Sequence, residues 1–294
     1  MTKSCLATGN ITVDIAVARD GYAIAYLIKG DEEYIAIDAG ERKNMPFANI
    51  NGFDLYYEIH GNGDPVILLH HGFGCTRIWE DIFPALIENG YQIVLYDRKG
   101  YGRSQREDDF IENFYISDGF RSGAVDDLAA LAQLLGLTSF HLIGQCEGGV
   151  VAVDYAAAHP GKVKSIVMSS TQCYSHKPMI EVNRRVFPEG FHMLEPEWQE
   201  KLKDWHGAGY TEAFYNQFIR FGGEYGTGVF DLRSVLPSVT CPFLILYPDR
   251  SSIFNVEQGV MFYRHLSAGE LSVLPDCGHN TYEYAVSYTH LTLP

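Results

Sequence analysis

A mostly parallel central sheet flanked by helices, of the α/β class and carrying a helical insertion, is the fold this 294-residue sequence predicts. Three observations lead there. Short apolar runs alternate with helical stretches from Pro65 to Leu274, the pattern of parallel strands joined by right-handed crossovers. One run passes through a glycine-flanked turn, Gly144-Gln145-Cys146-Glu147-Gly148, straight into an apolar helix. The alternation stops between Cys173 and Pro237, where aromatic residues recur at roughly helical spacing.

Residues 1–44 hold the β-branched runs Ile11–Val17 and Tyr22–Ile28, then Glu33–Ile37 after the turn Lys29-Gly30-Asp31, and read as a β-rich appendage. An exposed edge there would let two copies pair into a homo-oligomer. From Ile50 to Ile59 the sequence reads as a hairpin with an Asn51-Gly52 turn. Pro65–His70 and Gln92–Tyr96 are short apolar runs, the profile of strands buried on both faces. Trp79–Asn89 suits a helix between them. Val125–Leu135 carries apolar residues at helical spacing, with Gly136 placed to cap it. Strands are expected at Phe140–Ile143, Lys164–Met168, Phe243–Tyr247 and Glu270–Leu274, with a helix from Gly148 to His159 stopped by Pro160. Residues 45–172 and 238–285 thus form the core. Residues 173–237 form a helical lid over the C-terminal edge of the sheet, and 286–294 a tail.

The composition is ordinary for a soluble chain: 46% hydrophobic and 20% charged residues. Thirty-seven acidic against 22 basic side chains give a net charge of −15, which repels nucleic acid and anionic membrane. No apolar run is long enough to cross a bilayer, and residues 1–20 lack the pattern of a secretory signal, so the expected compartment is the cytoplasm. The six cysteines show neither CxxC pairs nor metal-ligand spacing and read mostly as buried thiols. No metal or other cofactor is implied.

The chemistry concentrates at Cys146. Glycines flank it because a strand-to-helix turn this tight leaves no room for a neighbouring Cβ. The positive end of the following helix favours a thiolate there. Glycine-rich turns of this kind also occur without catalysis, so the neighbours of Cys146 matter. After the first apolar strand comes Leu68-Leu69-His70-His71-Gly72-Phe73-Gly74; after the next, Asp97-Arg98-Lys99-Gly100-Tyr101-Gly102-Arg103-Ser104; after the last, Pro275-Asp276-Cys277-Gly278-His279-Asn280. Over roughly residues 50–285 these motifs, in this order and with Trp79, resemble the α/β-hydrolase family. The resemblance implies His279 as base and the backbone N–H groups of Phe73 and Glu147 as an oxyanion hole. It also implies that His70 and His71 shape the oxyanion loop and that Asp97 and Arg98 form a structural ion pair. His192 and His206 fall in the lid.

The chain departs from that family at the acid. The relevant stretch reads Tyr247-Pro248-Asp249-Arg250-Ser251-Ser252-Ile253-Phe254: aligned on Ile253 the acid position holds Ser251, and Asp249 lies two residues early. The acid is either displaced to Asp249 or absent. A thiol tolerates its absence better than a hydroxyl does, because it ionises near pH 8.5 and needs less help from the imidazole. Glu147, next in sequence, raises the thiol's pKa if its carboxylate lies close and is without effect if it points away. A cysteine native to position 146 and one substituted for serine to trap an intermediate would read alike. The family ordinarily ends in a helix packed on the sheet. Here Val286–Pro294 lacks helical amphipathicity and resembles translated adapter sequence, which predicts a loosely packed end.

These readings imply a hydrolase of carboxylic esters, thioesters or lactones working through a cysteine acyl-enzyme, with dienelactone hydrolases as the resembling precedent for a cysteine in this motif. Trp198, Trp205 and Tyr215 in the lid are the expected contacts for an apolar or aromatic small molecule. A catalytically weak, receptor-like binding protein on the same fold is the alternative. A metalloenzyme reading starts from Tyr26–Gly40, which resembles the opening strands of metallo-β-lactamase-like domains, but no HxHxDH follows it.

Overall fold

The computed structural model describes residues 6–7, 12–17 and 24–29 by their backbone, and 47–106, 120–221, 229 and 231–283. The expected strand Glu33–Ile37 and the tail 286–294 lie outside the described residues. Near the N-terminus, β1 (Leu6–Ala7), β2 (Thr12–Val17) and β3 (Ile24–Lys29) form a three-stranded antiparallel sheet of their own.

The main sheet has eight strands: β4 (Phe47–Ile50), β5 (Phe53–His60), β6 (Asp64–Leu69), β7 (Tyr91–Tyr96), β8 (Phe140–Gln145), β9 (Val163–Ser169), β10 (Phe243–Pro248) and β11 (Gly269–Leu274). Their spatial order is β4-β5-β7-β6-β8-β9-β10-β11. β5 runs against both of its neighbours, and the other pairings are parallel. The β4–β5 hairpin turns at Asn51 and Gly52, with φ of 52° and 88°, the two positive angles a tight twisted hairpin needs and Asn-Gly tolerates. β8, buried along its whole length, sits at the middle of the sheet.

The apolar runs are continuous because both faces are covered. Ile67 and Leu69 of β6, with Val94 and Tyr96 of β7, enter one core, where they meet Leu128 of α2 (Phe120–Leu134) and Val151 of α3 (Glu147–Ala158). Val66, Leu68, Ile93 and Leu95 alternate into the other, against Trp79 and against Leu86 of α1 (Phe83–Glu88). Each such aliphatic side chain contributes roughly 1.5–3 kcal/mol by leaving water. The helix expected over Trp79–Asn89 is split: a 3₁₀ turn spans Thr76–Trp79 and α1 begins only at Phe83. Pro84, lacking an N–H, suits the first turn of a helix and not its interior, which sets the later start.

Between β9 and β10 lie α4 (Met179–Val186), α5 (Pro196–His206) and α6 (Thr211–Phe221). Phe214, Tyr215 and Phe218 of α6 join the second core together with Trp205. After β10, α7 (Glu257–His265) places Phe262 in the first. Among the described residues no helix is long and apolar enough to cross a membrane.

Candidate active site

Cys146 stands between β8 and α3 with φ 53° and ψ −113°, a conformation that costs a non-glycine residue on the order of 1–3 kcal/mol and persists only where neighbours hold it. Its N–H donates to Ser169 O at 2.9 Å, and its carbonyl accepts from Gly149 N at 3.0 Å and from Thr171 Oγ1 at 3.0 Å. The flanking glycines are required by contact. A Cβ on Gly144 would lie 2.6 Å from Gly148 O, and one on Gly148 would lie 2.1 Å from Leu69 O. The turn is therefore pressed against the end of β6.

His279 lies on the loop after β11, and both His279 and Cys146 line a cavity of about 270 Å³. The loop is tied to the ends of β8 and β9: His279 O accepts from Gln145 Nε2 at 2.8 Å and from Ser170 Oγ at 2.6 Å. Gln145 Oε1 in turn accepts from Thr281 Oγ1 and Ser169 Oγ. Burial drives the His279 imidazole down to about 4, so it is neutral at pH 7. The partner of its Nδ1 is Ser251 Oγ at 3.0 Å. Asp249 is not brought to the imidazole. Its carboxylate accepts the N–H of Cys277 at 3.2 Å and faces Arg250 at 3.4 Å.

The loop after β6 is held by three neutral histidines. Arg98 N donates to His70 Nε2 at 3.0 Å, which leaves His70 Nδ1–H to donate to His71 O at 2.8 Å. Phe73 N–H donates to His71 Nδ1 at 3.1 Å, and His71 Nε2–H reaches Tyr282 OH at 2.9 Å. His206, at the end of α5, accepts from Gly102 N at 2.9 Å and donates from Nε2 to Phe73 O at 2.9 Å. Burial pushes His70 and His71 well below the ordinary imidazole range and His206 down to about 4. His206 thus links the inserted helices to both loops, a role that a position within the insertion could not announce. Phe73 lines the cavity, with its N–H on the His71 ring and not on the cavity's contents.

Glu147 opens α3 with its side chain turned into the protein. Its carboxylate accepts from Arg98 at 3.3 Å and from Tyr101 OH at 3.4 Å. Burial raises it to about 7 against the opposing pull of Arg98 and the Tyr101 hydrogen bond, and the Arg98 guanidinium offsets whatever charge it presents to the neighbouring Cys146. The ion pair expected between Asp97 and Arg98 is corrected here. Asp97 pairs with Arg103 at 3.4 Å and accepts the N–H groups of Thr76 and Arg103, while Arg98 pairs with Glu147. Consecutive side chains at a strand end diverge, so Asp97 turned to Arg103 in the same loop and Arg98 to Glu147 at the start of α3.

Of the lid aromatics, Trp198 and Tyr215 line the cavity, and Tyr215 OH donates to Pro188 O at 2.9 Å. Trp205 is not among the lining residues. It packs near His71, with ring centroids 6.2 Å apart. Phe187, Phe218 and Phe254 line the cavity as well. Phe73 and Phe218 stand 4.1 Å apart between ring centroids, so the loop after β6 and α6 form one aromatic wall. Among the described residues no group of three or more His, Cys, Asp or Glu side chains is placed to hold a metal ion.

With this geometry in view, comparison with known proteins gives the fold a name. The family model described as alpha/beta hydrolase fold matches residues 64–194. The chain is similar to a proline iminopeptidase of Clostridioides difficile (strain 630), 31% identical over 193 residues, which are 63% of this chain. The chain spans 60% of that relative's length. Among solved structures it is similar to a thermophilic esterase from Thermogutta terrifontis, at 24% identity and a TM-score of 0.63 over 83% of this chain and 93% of the other. It is also similar to the enol-lactonase of Burkholderia xenovorans LB400, at 18% identity and a TM-score of 0.62 over 80% and 93%. The chain has the α/β hydrolase fold.

Proposed function

We propose that this chain, on its α/β hydrolase fold, hydrolyses a carboxylic ester, thioester or lactone through an acyl-thioenzyme on Cys146. The observation that carries the reading is the backbone of Cys146. A strained left-handed residue at the mouth of a helix, held by three hydrogen bonds and bordering the same cavity as His279, is the arrangement that presents a nucleophile. The Cys146 thiol gives up its proton, its sulfur bonds to the acyl carbon, the ester C–O bond breaks, and the departing oxygen takes up a proton to leave as the alcohol. Water then attacks the thioester, its proton passes to His279, and the thiolate leaves with a carboxylic acid as product. Backbone N–H groups of Glu147 and Phe73 serve the oxyanion, the latter once it turns from the His71 ring.

The substrate class follows from the cavity and the leaving group. Phe187, Trp198, Tyr215 and Phe218 give it an apolar, aromatic wall suited to a small apolar or aromatic acyl group, with α4–α6 serving as its lid. A thiolate is expelled readily in competition with an amine, which favours esters and lactones over amides. An esterase and an enol-lactonase share the fold, and a proline iminopeptidase is a sequence relative.

A receptor-like binding protein is the second reading, favoured by a serine at His279 Nδ1 and by the Phe73 N–H engaged with His71. Steady-state hydrolysis of p-nitrophenyl butyrate by the wild type and by Cys146→Ala separates the two. The enzyme reading expects turnover that disappears in the variant; equal rates in both proteins favour the binder.

A further inference from the structure

Ser251 Oγ makes three contacts: His279 Nδ1 at 3.0 Å, Ile253 N at 3.3 Å and Phe254 N at 3.2 Å. The chemistry of those partners fixes the direction of each bond. Both backbone nitrogens carry a hydrogen and can only donate, so they occupy the two lone-pair positions of the hydroxyl. One hydrogen remains on Ser251, and its open direction is the imidazole. Nδ1 therefore accepts, and the ring proton of neutral His279 sits on Nε2. A carboxylate at position 251 would impose the opposite state, because it has no hydrogen to give and would draw the ring proton to Nδ1.

We propose that Ser251 is a positioning residue that holds His279 as its Nε2–H tautomer, so that the acyl-thioenzyme forms readily and is hydrolysed slowly. The inference rests on the reading of Cys146 as nucleophile. Attack on an activated ester needs no base, because a thiol loses its proton to solvent in a small fraction of molecules at neutral pH: from that fraction the S–C bond forms, the C–O bond breaks and the alcoholate leaves with its electron pair. Hydrolysis is different. Water must give a proton to Nε2 as its oxygen bonds to the thioester carbon, and Nε2, already carrying a hydrogen, has no lone pair to take it. The ring must first carry its hydrogen on Nδ1 instead, where it faces a hydroxyl with both lone pairs engaged, so Ser251 must rotate and release a backbone N–H for each turnover. Burial, which keeps His279 neutral, works in the same direction.

Two measurements on the full chain test this. In protein labelled with ¹⁵N-histidine, the His279 nitrogens are identified by their loss in His279→Gln. Nδ1 is expected to show a pyridine-type shift and Nε2 a pyrrole-type shift in the wild type, with the two exchanged in Ser251→Asp. A pyrrole-type Nδ1 in the wild type overturns the proposal without reference to activity. With p-nitrophenyl butyrate the wild type should give a burst of nitrophenol stoichiometric with enzyme, then a slow steady rate. Ser251→Asp should raise the steady rate on the order of 10²-fold, the scale of a restored general base, and change the burst rate far less. Ser251→Ala, which loses the donor but adds no charge, should show a mixed tautomer signal and an intermediate steady rate. Unchanged burst-to-steady ratios in both variants overturn the proposal. The predicted tautomer without acylation of Cys146 in any variant upholds the assignment to Ser251 and discards the nucleophile.

Discussion

Replacing His206 with glutamine should make the protein less sensitive to acid while leaving it nearly unchanged at neutral pH. His206 is fully buried and makes two directed bonds: Nδ1 accepts the N–H of Gly102 and Nε2–H donates to Phe73 O, both at 2.9 Å. Charging the ring would put a second hydrogen on Nδ1, against the Gly102 N–H. Burial is the largest influence and brings the folded-state value to about 4, below the ordinary 6.5; the bond to Phe73 opposes the shift, and the charge of Arg106 adds to it. An unfolded chain takes up this proton near pH 6.5, whereas the folded one resists until pH 4. The contribution to stability is therefore complete above pH 6.5 and is lost as pH falls toward 4. At 1.36 kcal/mol for each pH unit of separation the full loss is about 3 kcal/mol, most of which is gone by pH 4.5. A glutamine amide can accept from Gly102 and donate to Phe73 without titrating. Urea unfolding of wild type and His206→Gln at pH 7.5 and pH 4.5 measures the difference. His70, His71 and His279 add acid sensitivity to both proteins and cancel in the comparison. The wild type should lose roughly 2–3 kcal/mol more than the variant between the two pH values. Parallel losses would refute the reasoning.

Gly148→Ala should disrupt the turn, since the new Cβ would sit 2.1 Å from Leu69 O, a backbone atom that cannot swing aside. A cost of about 1–3 kcal/mol in chemical denaturation and loss of Cys146 reactivity toward iodoacetamide are expected. Asp249→Ala removes only the acceptor for Cys277 N and the contact with Arg250. It should cost about 0.5–1.5 kcal/mol in stability and leave the hydrolysis rate of p-nitrophenyl butyrate near that of the wild type.

The sheet was legible because its cause lies in local sequence. Strands covered on both faces have to be continuously apolar, and β6, β7 and β8 read that way, as does the Asn51-Gly52 turn with its two positive φ angles. The Gly-X-Cys-X-Gly turn was legible for a similar reason, since its glycines answer clashes within a few residues and with the adjacent strand. Partnerships across the fold were not. Arg98 reaches Glu147 across 49 positions and His206 reaches Phe73 across 133. Nothing in spacing encodes such pairs, so proximity in sequence misdirected Arg98 toward Asp97. The stretch after β10 was a different case: its alignment on Ile253 put Ser251 at the acid position, where it meets His279, while residue type drew attention to Asp249, whose carboxylate lies on Cys277 and Arg250. Helical periodicity likewise identified the lid aromatics without saying which face the cavity, and Trp205 turned to His71 while Trp198 lines it.

The central claim is that Cys146 becomes acylated. Intact-protein mass followed over time after mixing with excess p-nitrophenyl butyrate, with peptide mapping of the adduct, tests it most directly. The account predicts a single butyryl group on Cys146 that forms within the nitrophenol burst and decays slowly once the ester is exhausted. A protein that releases nitrophenol while Cys146 stays unmodified, or that carries the butyryl group on another residue, would contradict it.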